Sequence, residues 1–217
     1  MTGAADTAAP KSNVHLQFRE YPTIYNQSLV GGEKMIKKNN LYSKFENNGE
    51  IESLFKLAKQ GDAEALFKLA ISYAHGKGVE LNYPEAMKWL SKAARQGDVK
   101  AQSYLGFCYR HGIGIKKNLE DAARWWHNSA EQNYAPAQYH LGVCYYYGKG
   151  VKKNHRKAVK WYRKAALQGH ALAQVKLGDC YKLGKGIKKD KAKGSKWYSK
   201  GMEQLRQLVK PLVNKSK

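Results

Sequence analysis

The chain has 217 residues, of which 42% are hydrophobic and 12% aromatic, a composition that excludes a wholly disordered protein. Its formal net charge is +22, and residues 149–217 hold most of it, because 21 lysines and arginines there face three acidic residues, a net charge of +18. This asymmetry predicts an acidic partner, and charge alone leaves nucleic acid, anionic membrane and acidic protein open, as well as a surface that only aids solubility.

The first 43 residues contain no repeat and begin with a low-complexity stretch, so we expect an N-terminal arm, largely flexible, over residues 1–43. The sequence has neither an apolar run of 18 residues nor the pattern of a secretory signal. We therefore expect a cytoplasmic protein without a membrane span, and delivery into a host cell by another route stays open.

From residue 62 onward the sequence repeats every 36 residues, without insertions, in four copies. The most regular positions are a leucine column and a tryptophan column, which are Leu69, Leu105, Leu141, Leu177 and Trp89, Trp125, Trp161, Trp197. We place repeats 1 to 4 at residues 62–97, 98–133, 134–169 and 170–203, a capping half-repeat at 44–61 and a basic C-terminal tail at 204–217. Such self-similarity is typical of proteins built by stacking one structural unit.

Each copy predicts two helices joined by a G-x-G turn. In repeat 2, Ala101, Leu105 and Tyr109 share one helical face, which predicts a first helix over about 99–111 that ends at Gly112. Asn118 is placed to cap a second helix that reaches about Gln132. Helices of about 13 residues are marginal alone in water, so the copies must stack and share a core. The sequence thus predicts an all-α solenoid.

The tryptophan column is predicted to be mostly buried, as one wedge per repeat in a shared core. Trp126 lies outside this column and is predicted to pack as well. The last helix is expected to end near Val209, before Pro211.

The repeated pattern A-x-A-x-x-x-L-[AG]-x-x-Y-x-x-G-x-G-[VI], followed by K-A-x-x-W-Y-x-K-A-A-x-Q-G, resembles that of Sel1-like repeats, relatives of the tetratricopeptide repeat. It is clearest in AQYHLGVCYYYGKGVKKN and RKAVKWYRKAALQG and covers roughly residues 50–203. The resemblance implies a right-handed α/α superhelical solenoid that holds protein partners. It implies no specific ligand.

The three cysteines, Cys108, Cys144 and Cys180, occupy one repeat position. Packed helices lie about 8–10 Å apart, which usually exceeds the roughly 7 Å Cα separation that a disulfide allows, so reduced, buried thiols are expected. The histidines form no cluster with the spacing of metal ligands, and no nucleophile and base are paired. We expect no metal, no cofactor and no catalysis.

Apolar residues also occur on the first-helix face opposite the Ala101, Leu105 and Tyr109 stripe, where a solvated face would be polar. We predict that this face lines a concave groove and contacts a partner through Phe67, Ile71, Phe107, Arg110, His111, Tyr139, Val143, Tyr146, Tyr147 and Val175. The alternative is that the N-terminal arm or the C-terminal tail folds back and covers the groove.

Paired lysines follow the G-x-G turn in three copies, and stacking would align them into a lysine ridge. Its members are Lys116, Lys117, Lys152, Lys153, Lys188 and Lys189. Repeat 1 has Glu80 and Leu81 at this position, so the fold does not need the ridge.

These features predict a non-catalytic protein-protein interaction scaffold, or adaptor, that binds a peptide or protein in an aromatic groove, with a basic edge that favours an acidic partner. The alternative is nucleic-acid or ribonucleoprotein binding through the lysine-rich C-terminal half, with tyrosines stacking on bases. The sequence leaves the partner and the oligomeric state open.

Overall fold

The computed structural model describes residues 48–213 of the chain, and the side chains of residues 49–207. The predicted N-terminal arm lies outside this range, as do residues 214–217 of the predicted tail. Nine helices occupy the described range: α1 (Asn48–Lys59), α2 (Ala63–His75), α3 (Tyr83–Arg95), α4 (Val99–His111), α5 (Leu119–Glu131), α6 (Ala135–Tyr147), α7 (His155–Leu167), α8 (Ala171–Leu183) and α9 (Lys191–Val213).

Local signals in the sequence set the helix boundaries. The first helices of the repeats, α2, α4, α6 and α8, each end at a C-cap glycine in the left-handed region, such as Gly112 with φ 74°. At the start of the second helices α3, α5 and α7, an asparagine side chain accepts a hydrogen bond from a first-turn amide, as Asn82 does from Glu85 N at 3.0 Å. The predicted turn glycines and asparagine caps are confirmed.

Each helix packs against the helices before and after it in the chain, so the four pairs stack in sequence and α1 covers the first pair. The leucine column is fully buried in every repeat. The prediction of an all-α, right-handed superhelical solenoid is confirmed.

In repeats 1 to 3 the residue that follows the tryptophan is buried more deeply than the tryptophan itself, whereas in repeat 4 both Trp197 and Tyr198 are partly exposed. Trp126 and Tyr162 are fully buried, and the indole of Trp126 donates a hydrogen bond to the Ser103 carbonyl at 3.0 Å. Each ring lies against a glycine of the preceding first helix, because a Cβ on Gly106 would lie 2.9 Å from the Trp126 ring and one on Gly142 would lie 2.6 Å from the Tyr162 ring. A buried aromatic ring at this position of the second helix therefore requires a glycine at the contacting position of the first helix.

The tryptophan column is mostly buried, as predicted. Trp161 is buried, and Trp89, Trp125 and Trp197 are partly exposed at the margin of the core. Trp89 makes an edge-to-face contact with Phe55 at 6.0 Å, and its outer face receives Lys92 Nζ at 4.8 Å. None of the four is exposed, so the prediction is confirmed, although in repeats 1 and 2 the next residue, Leu90 or Trp126, is buried more deeply.

The last helix is longer than predicted. α9 runs from Lys191 to Val213 and includes Pro211, rather than ending near Val209. Proline within a helix removes one amide donor but has a φ that is compatible with helical backbone. The helix end is thus not marked by this proline.

The three cysteines are free and buried, which confirms the prediction of reduced thiols. Burial raises the pKa of Cys108 and Cys144 to about 12 and that of Cys180 to about 11. These thiols are therefore protonated and unreactive at neutral pH.

Candidate functional site

The face that the sequence assigns to a groove is open only in part. Three of its ten residues are buried: Phe107, Tyr139 and Val143. Five are half-buried, namely Phe67, Ile71, Arg110, Tyr146 and Val175, and two are exposed, namely His111 and Tyr147. Exposure therefore increases toward the C-terminal ends of the first helices, and contact of this face with a partner stays a prediction.

Tyr139 shows why part of the face is closed. Its ring is 2% exposed and lies 6.1 Å from the ring of Tyr162 and 4.8 Å from that of His170, with which it stacks. Tyr162 belongs to the second helix of the same repeat and His170 caps the first helix of the next. Neighbouring helices thus cover a position that a single helical wheel assigns to solvent.

The open part of the face centres on the tyrosine pair, Tyr146 and Tyr147, at the end of α6. Their ring centroids lie 4.9 Å apart at 68°, and Tyr146 also contacts His155 at 4.8 Å. Lys149 Nζ lies 5.7 Å from the Tyr147 ring and Lys185 Nζ lies 5.6 Å from the Tyr146 ring. Aromatic and cationic groups therefore meet at this helix end.

A second apolar residue is exposed at the equivalent end of the next first helix. Tyr147 is 53% exposed and Leu183, at the end of α8, is 58% exposed. They occupy the same repeat position, where repeats 1 and 2 have His75 and His111. Two large apolar side chains in neighbouring repeats thus face solvent.

All six lysines of the lysine ridge are exposed. The second lysine of each pair lies beside the C-cap glycine of the first helix in the same repeat. A Cβ placed on that glycine would lie 3.1 to 3.4 Å from the lysine Cβ, in the pairs Gly112 and Lys117, Gly148 and Lys153, and Gly184 and Lys189. The ridge therefore follows the C-terminal ends of α4, α6 and α8, where the partial negative charge of the helix favours cations.

Sequence reasoning missed a column of buried glutamines that connects successive repeats. Gln102, Gln138 and Gln174 donate hydrogen bonds to the carbonyls of Ala94, Ala130 and Ala166, at the ends of the preceding second helices, at 3.1 to 3.2 Å. The signal was present, since these glutamines recur every 36 residues beside the buried alanine column. Their hydrogen bonds satisfy carbonyls at helix ends and have a structural role.

Buried His140 adds a titratable group beneath this surface. Its ring stacks on Trp126 at 4.8 Å. Burial holds the pKa of His140 well below its ordinary value, and the nearby Arg110 lowers it further. The imidazole is therefore neutral at neutral pH.

Within the part of the chain that the structure describes, no three His, Cys, Asp or Glu residues come together as metal ligands could. Among helices α1 to α9, none is both long enough and apolar enough to cross a membrane.

Four consecutive segments, residues 63–98, 99–134, 135–170 and 171–204, match the family described as Sel1 repeat. A protective antigen of uropathogenic Escherichia coli with an SLR fold is 36% identical over 71% of this chain, with a TM-score of 0.69, and this chain spans only 33% of that protein. A Sel1 repeat protein from Oxalobacter formigenes is 32% identical over 83% of this chain and 76% of its own, also with a TM-score of 0.69. The chain matches no curated protein.

Proposed function

Since the chain belongs to the Sel1 repeat family, we propose that it is a non-catalytic scaffold that binds an acidic segment of a protein partner along the C-terminal ends of its first helices. Proteins of this family commonly act as protein-interaction scaffolds. The observation that carries the proposal is the contact between aromatic and cationic surfaces at the end of α6, where Lys149 and Lys185 lie over the tyrosine pair.

The apolar part of the binding surface is supplied by Tyr147 and Leu183. Both are more than half exposed, and both lie at helix ends that precede lysine-bearing turns. Tyrosine offers a large rigid surface at a low cost in conformational entropy, which suits it to protein interfaces. A partner side chain placed between these two residues would remove apolar surface from water.

The lysine ridge supplies the charge. Exposed cations within a Debye length of about 8 Å repel one another at physiological salt, so an acidic segment along the ridge relieves repulsion as well as gaining attraction. The main effect of such a ridge is to accelerate encounter with an acidic partner.

The alternative is nucleic-acid binding through the same lysines, with tyrosines stacking on bases. Base stacking needs an open ring face, and Tyr146 and Tyr147 each have a lysine over one face. The other face of each ring stays available for stacking, so the protein partner is favoured instead by the exposed aliphatic side chain of Leu183 at the equivalent position of repeat 4.

The proposal is tested by selecting binding peptides from a displayed library and measuring their affinity for the wild type and for a Tyr147→Ser, Leu183→Ser double variant. We expect affinity to fall about tenfold or more, because both exposed apolar groups are lost. Leu57→Ser is the control, since Leu57 is also exposed but lies in α1. Equal affinity of the double variant and the wild type would contradict the surface.

The ridge is tested by changing all six of its lysines to serine and measuring association rates at low and at moderate salt. We expect slower association and a flatter salt dependence. The control replaces six other exposed lysines, namely Lys59, Lys68, Lys88, Lys100, Lys196 and Lys200. If both variants slow association equally, net charge is responsible rather than the ridge. Binding of polyuridylate with higher affinity than any selected peptide would favour the nucleic-acid alternative.

A further inference from the structure

A cationic pocket lies between α7 and the turn that precedes α9. Its volume is about 290 Å³. Four basic side chains line it, namely Arg156, Lys160, Arg163 and Lys164, and none of the described residues that line it is acidic. We call it the α7 pocket.

The rest of the lining of the α7 pocket is apolar. Val159 and Ile187 contribute aliphatic surface, and Leu167 stands at one end of the pocket, where it is 70% exposed. The exposed aliphatic side chain of Leu167 thus adjoins the four cations. The pocket therefore offers both charge and apolar contact.

The equivalent helices in the same chain show that the cations are not required by the repeat. Glu85 in α3 and Asp121 in α5 form ion pairs with Lys88 and Arg124, one turn later. In α7 the corresponding acidic position is Lys157. Lys160 thus lacks the carboxylate that Lys88 and Arg124 have, as does Lys196 of repeat 4, where Lys193 takes the acidic position, and no ion pair of Lys160 occurs in the described part of the chain.

Two other residues that line the pocket also differ from the residues at the equivalent positions of other repeats, and both changes make the pocket more basic or less acidic. Arg163 replaces the serine that repeats 1 and 4 carry as Ser91 and Ser199, and Leu167 replaces Glu131 of repeat 2. Arg163 reaches the hydroxyl of Tyr181 at 3.4 Å, and Lys164 Nζ lies 4.5 Å from the Trp161 ring. The first contact links Arg163 to α8 and the second holds Lys164 along α7, and both side chains keep further donors available.

The charges at the start of α7 are electrostatically unfavourable, and an anionic ligand would relieve this. Its first turn contains His155, Arg156 and Lys157 and no acidic residue, although the N-terminus of a helix carries partial positive charge. Cations there repel the helix dipole and one another. An anion at this end would reverse both effects.

Charge complementarity favours an occupant other than this chain. A second copy of this chain has a net charge of +22, residues 1–47 contain six basic and four acidic residues, and residues 214–217 add two lysines. None of these complements four cations. Nucleic-acid phosphates match the charge, but the bases beside them are aromatic with polar edges, whereas Val159, Ile187 and Leu167 offer aliphatic surface.

We propose that the α7 pocket binds an acidic peptide segment of a protein partner, with neighbouring carboxylates on the basic side chains and an aliphatic side chain against Leu167 and Ile187. The inference rests on the proposed function only in assuming a protein partner. The pocket adjoins the lysine ridge, because Ile187 directly precedes Lys188, so one acidic segment could extend from ridge to pocket.

The test uses the full chain and a short fluorescent peptide in which glutamate pairs flank single leucines, with affinity measured by fluorescence anisotropy. A Lys160→Ser, Arg163→Ser variant should bind at least about fivefold more weakly than the wild type. Lys88→Ser, Lys92→Ser is the matched control, with the same loss of charge on α3, and should stay within about twofold. Circular dichroism checks that each variant is folded.

A second pair of measurements addresses the apolar part. The Leu167→Glu variant, which introduces the residue of repeat 2, should weaken binding of the leucine peptide, and a peptide with serine in place of leucine should bind the wild type more weakly. Equal binding of the two peptides would overturn the proposal, as would an equal loss of affinity in the α3 control or no binding of the leucine peptide.

Two further probes separate the sources of anion. In separate measurements, oligothymidylate or vesicles that contain phosphatidylserine replace the peptide. Tighter binding of either, with the same sensitivity to Lys160→Ser and Arg163→Ser, overturns the choice of a peptide. The Tyr147→Ser, Leu183→Ser variant should bind the leucine peptide as the wild type does. If it loses binding and the α7 variant does not, the peptide occupies the first-helix surface, so the pocket proposal fails and the proposed function stands.

Discussion

α3 and α7 are the second helices of repeats 1 and 3, and they share a core while presenting opposite surfaces. Both have 13 residues and an asparagine N-cap, and both bury alanines at equivalent positions, such as Ala86 and Ala158. Their exposed positions differ, because the first turn of α3 contains Glu85 where α7 has Lys157. The comparison shows that a few buried columns and caps suffice for the fold, so surface residues can vary between repeats and carry function.

The shared core gives the largest expected effect. Leu105→Ala should lower the free energy of unfolding by about 2–5 kcal/mol, because the leucine column is fully buried and its loss leaves a cavity. Urea denaturation of the full chain measures this, with Leu183→Ala as the exposed control. A loss below about 1 kcal/mol would show that the repeats are less tightly coupled than their packing indicates.

The second prediction concerns the contact between a small residue of the first helix and the large side chain of the second helix that packs against it, which differs between repeats 1 and 3. Gly142→Ala should destabilise the chain by about 1–3 kcal/mol, because the new Cβ would lie 2.6 Å from the Tyr162 ring. Repeat 1 pairs Ala70 with Leu90 at these positions, so adding Tyr162→Leu should make the alanine tolerable. A double-mutant cycle in urea measures the coupling, and strict additivity of the two changes would contradict the pairing.

The third prediction concerns pH and a residue buried in repeat 3. Burial lowers the pKa of His140 in the folded state, so the unfolded chain binds a proton first as pH falls below about 6.5. The stabilisation from neutral His140 is therefore complete above that pH and decreases below it, by up to about 1.4 kcal/mol per pH unit.

Thermal or urea unfolding between pH 7 and pH 5 tests this expectation for His140. His140→Phe should reduce the slope, since the ring stacked on Trp126 would no longer titrate. The same slope in His140→Phe and the wild type would assign the acid sensitivity to other groups.

The smallest expected effect on stability concerns the charge difference between the first turns of α3 and α7. Lys157→Glu gives α7 the acidic residue that α3 has, so it should stabilise the chain by about 0.3–1 kcal/mol through the helix dipole and a pair with Lys160. Lys157→Gln, which only removes the cation, should gain less. High salt should reduce the gain from Lys157→Glu, and a destabilised Lys157→Glu variant would show that the first turn of α7 does not repel cations.

Much of the fold was predictable because it depends on local or repeated signals. The boundary of α4 at Gly112 follows from a glycine that adopts a positive φ, and the caps Asn82 and Asn154 act within a single turn. Pro211 gave a misleading signal, because helical φ is also the φ that proline prefers, and α9 continues through it.

The candidate site was less predictable. A helical wheel placed Tyr139 on an open face, and the structure buries it against Tyr162 and His170, residues distant in sequence. The same wheel placed Tyr147 correctly on an exposed position, because it lies at a helix end where fewer neighbours cover it. The α7 pocket was not found, since one wall comes from α7 and the other from the turn before α9.

The sequence by itself determined the repeat, its helices and the leucine core. The leucine core recurs at a fixed interval of 36 residues, and each helix cap depends only on residues within one turn, so both can be recognised without the tertiary structure. Only the tertiary structure decided which first-helix residues stay open, which aromatic column is the deepest, and that four cations surround an apolar pocket. The physical reason is that exposure depends on the helices packed alongside, and the angle and distance of those helices are set by the fit of wedges such as Trp126 against Gly106.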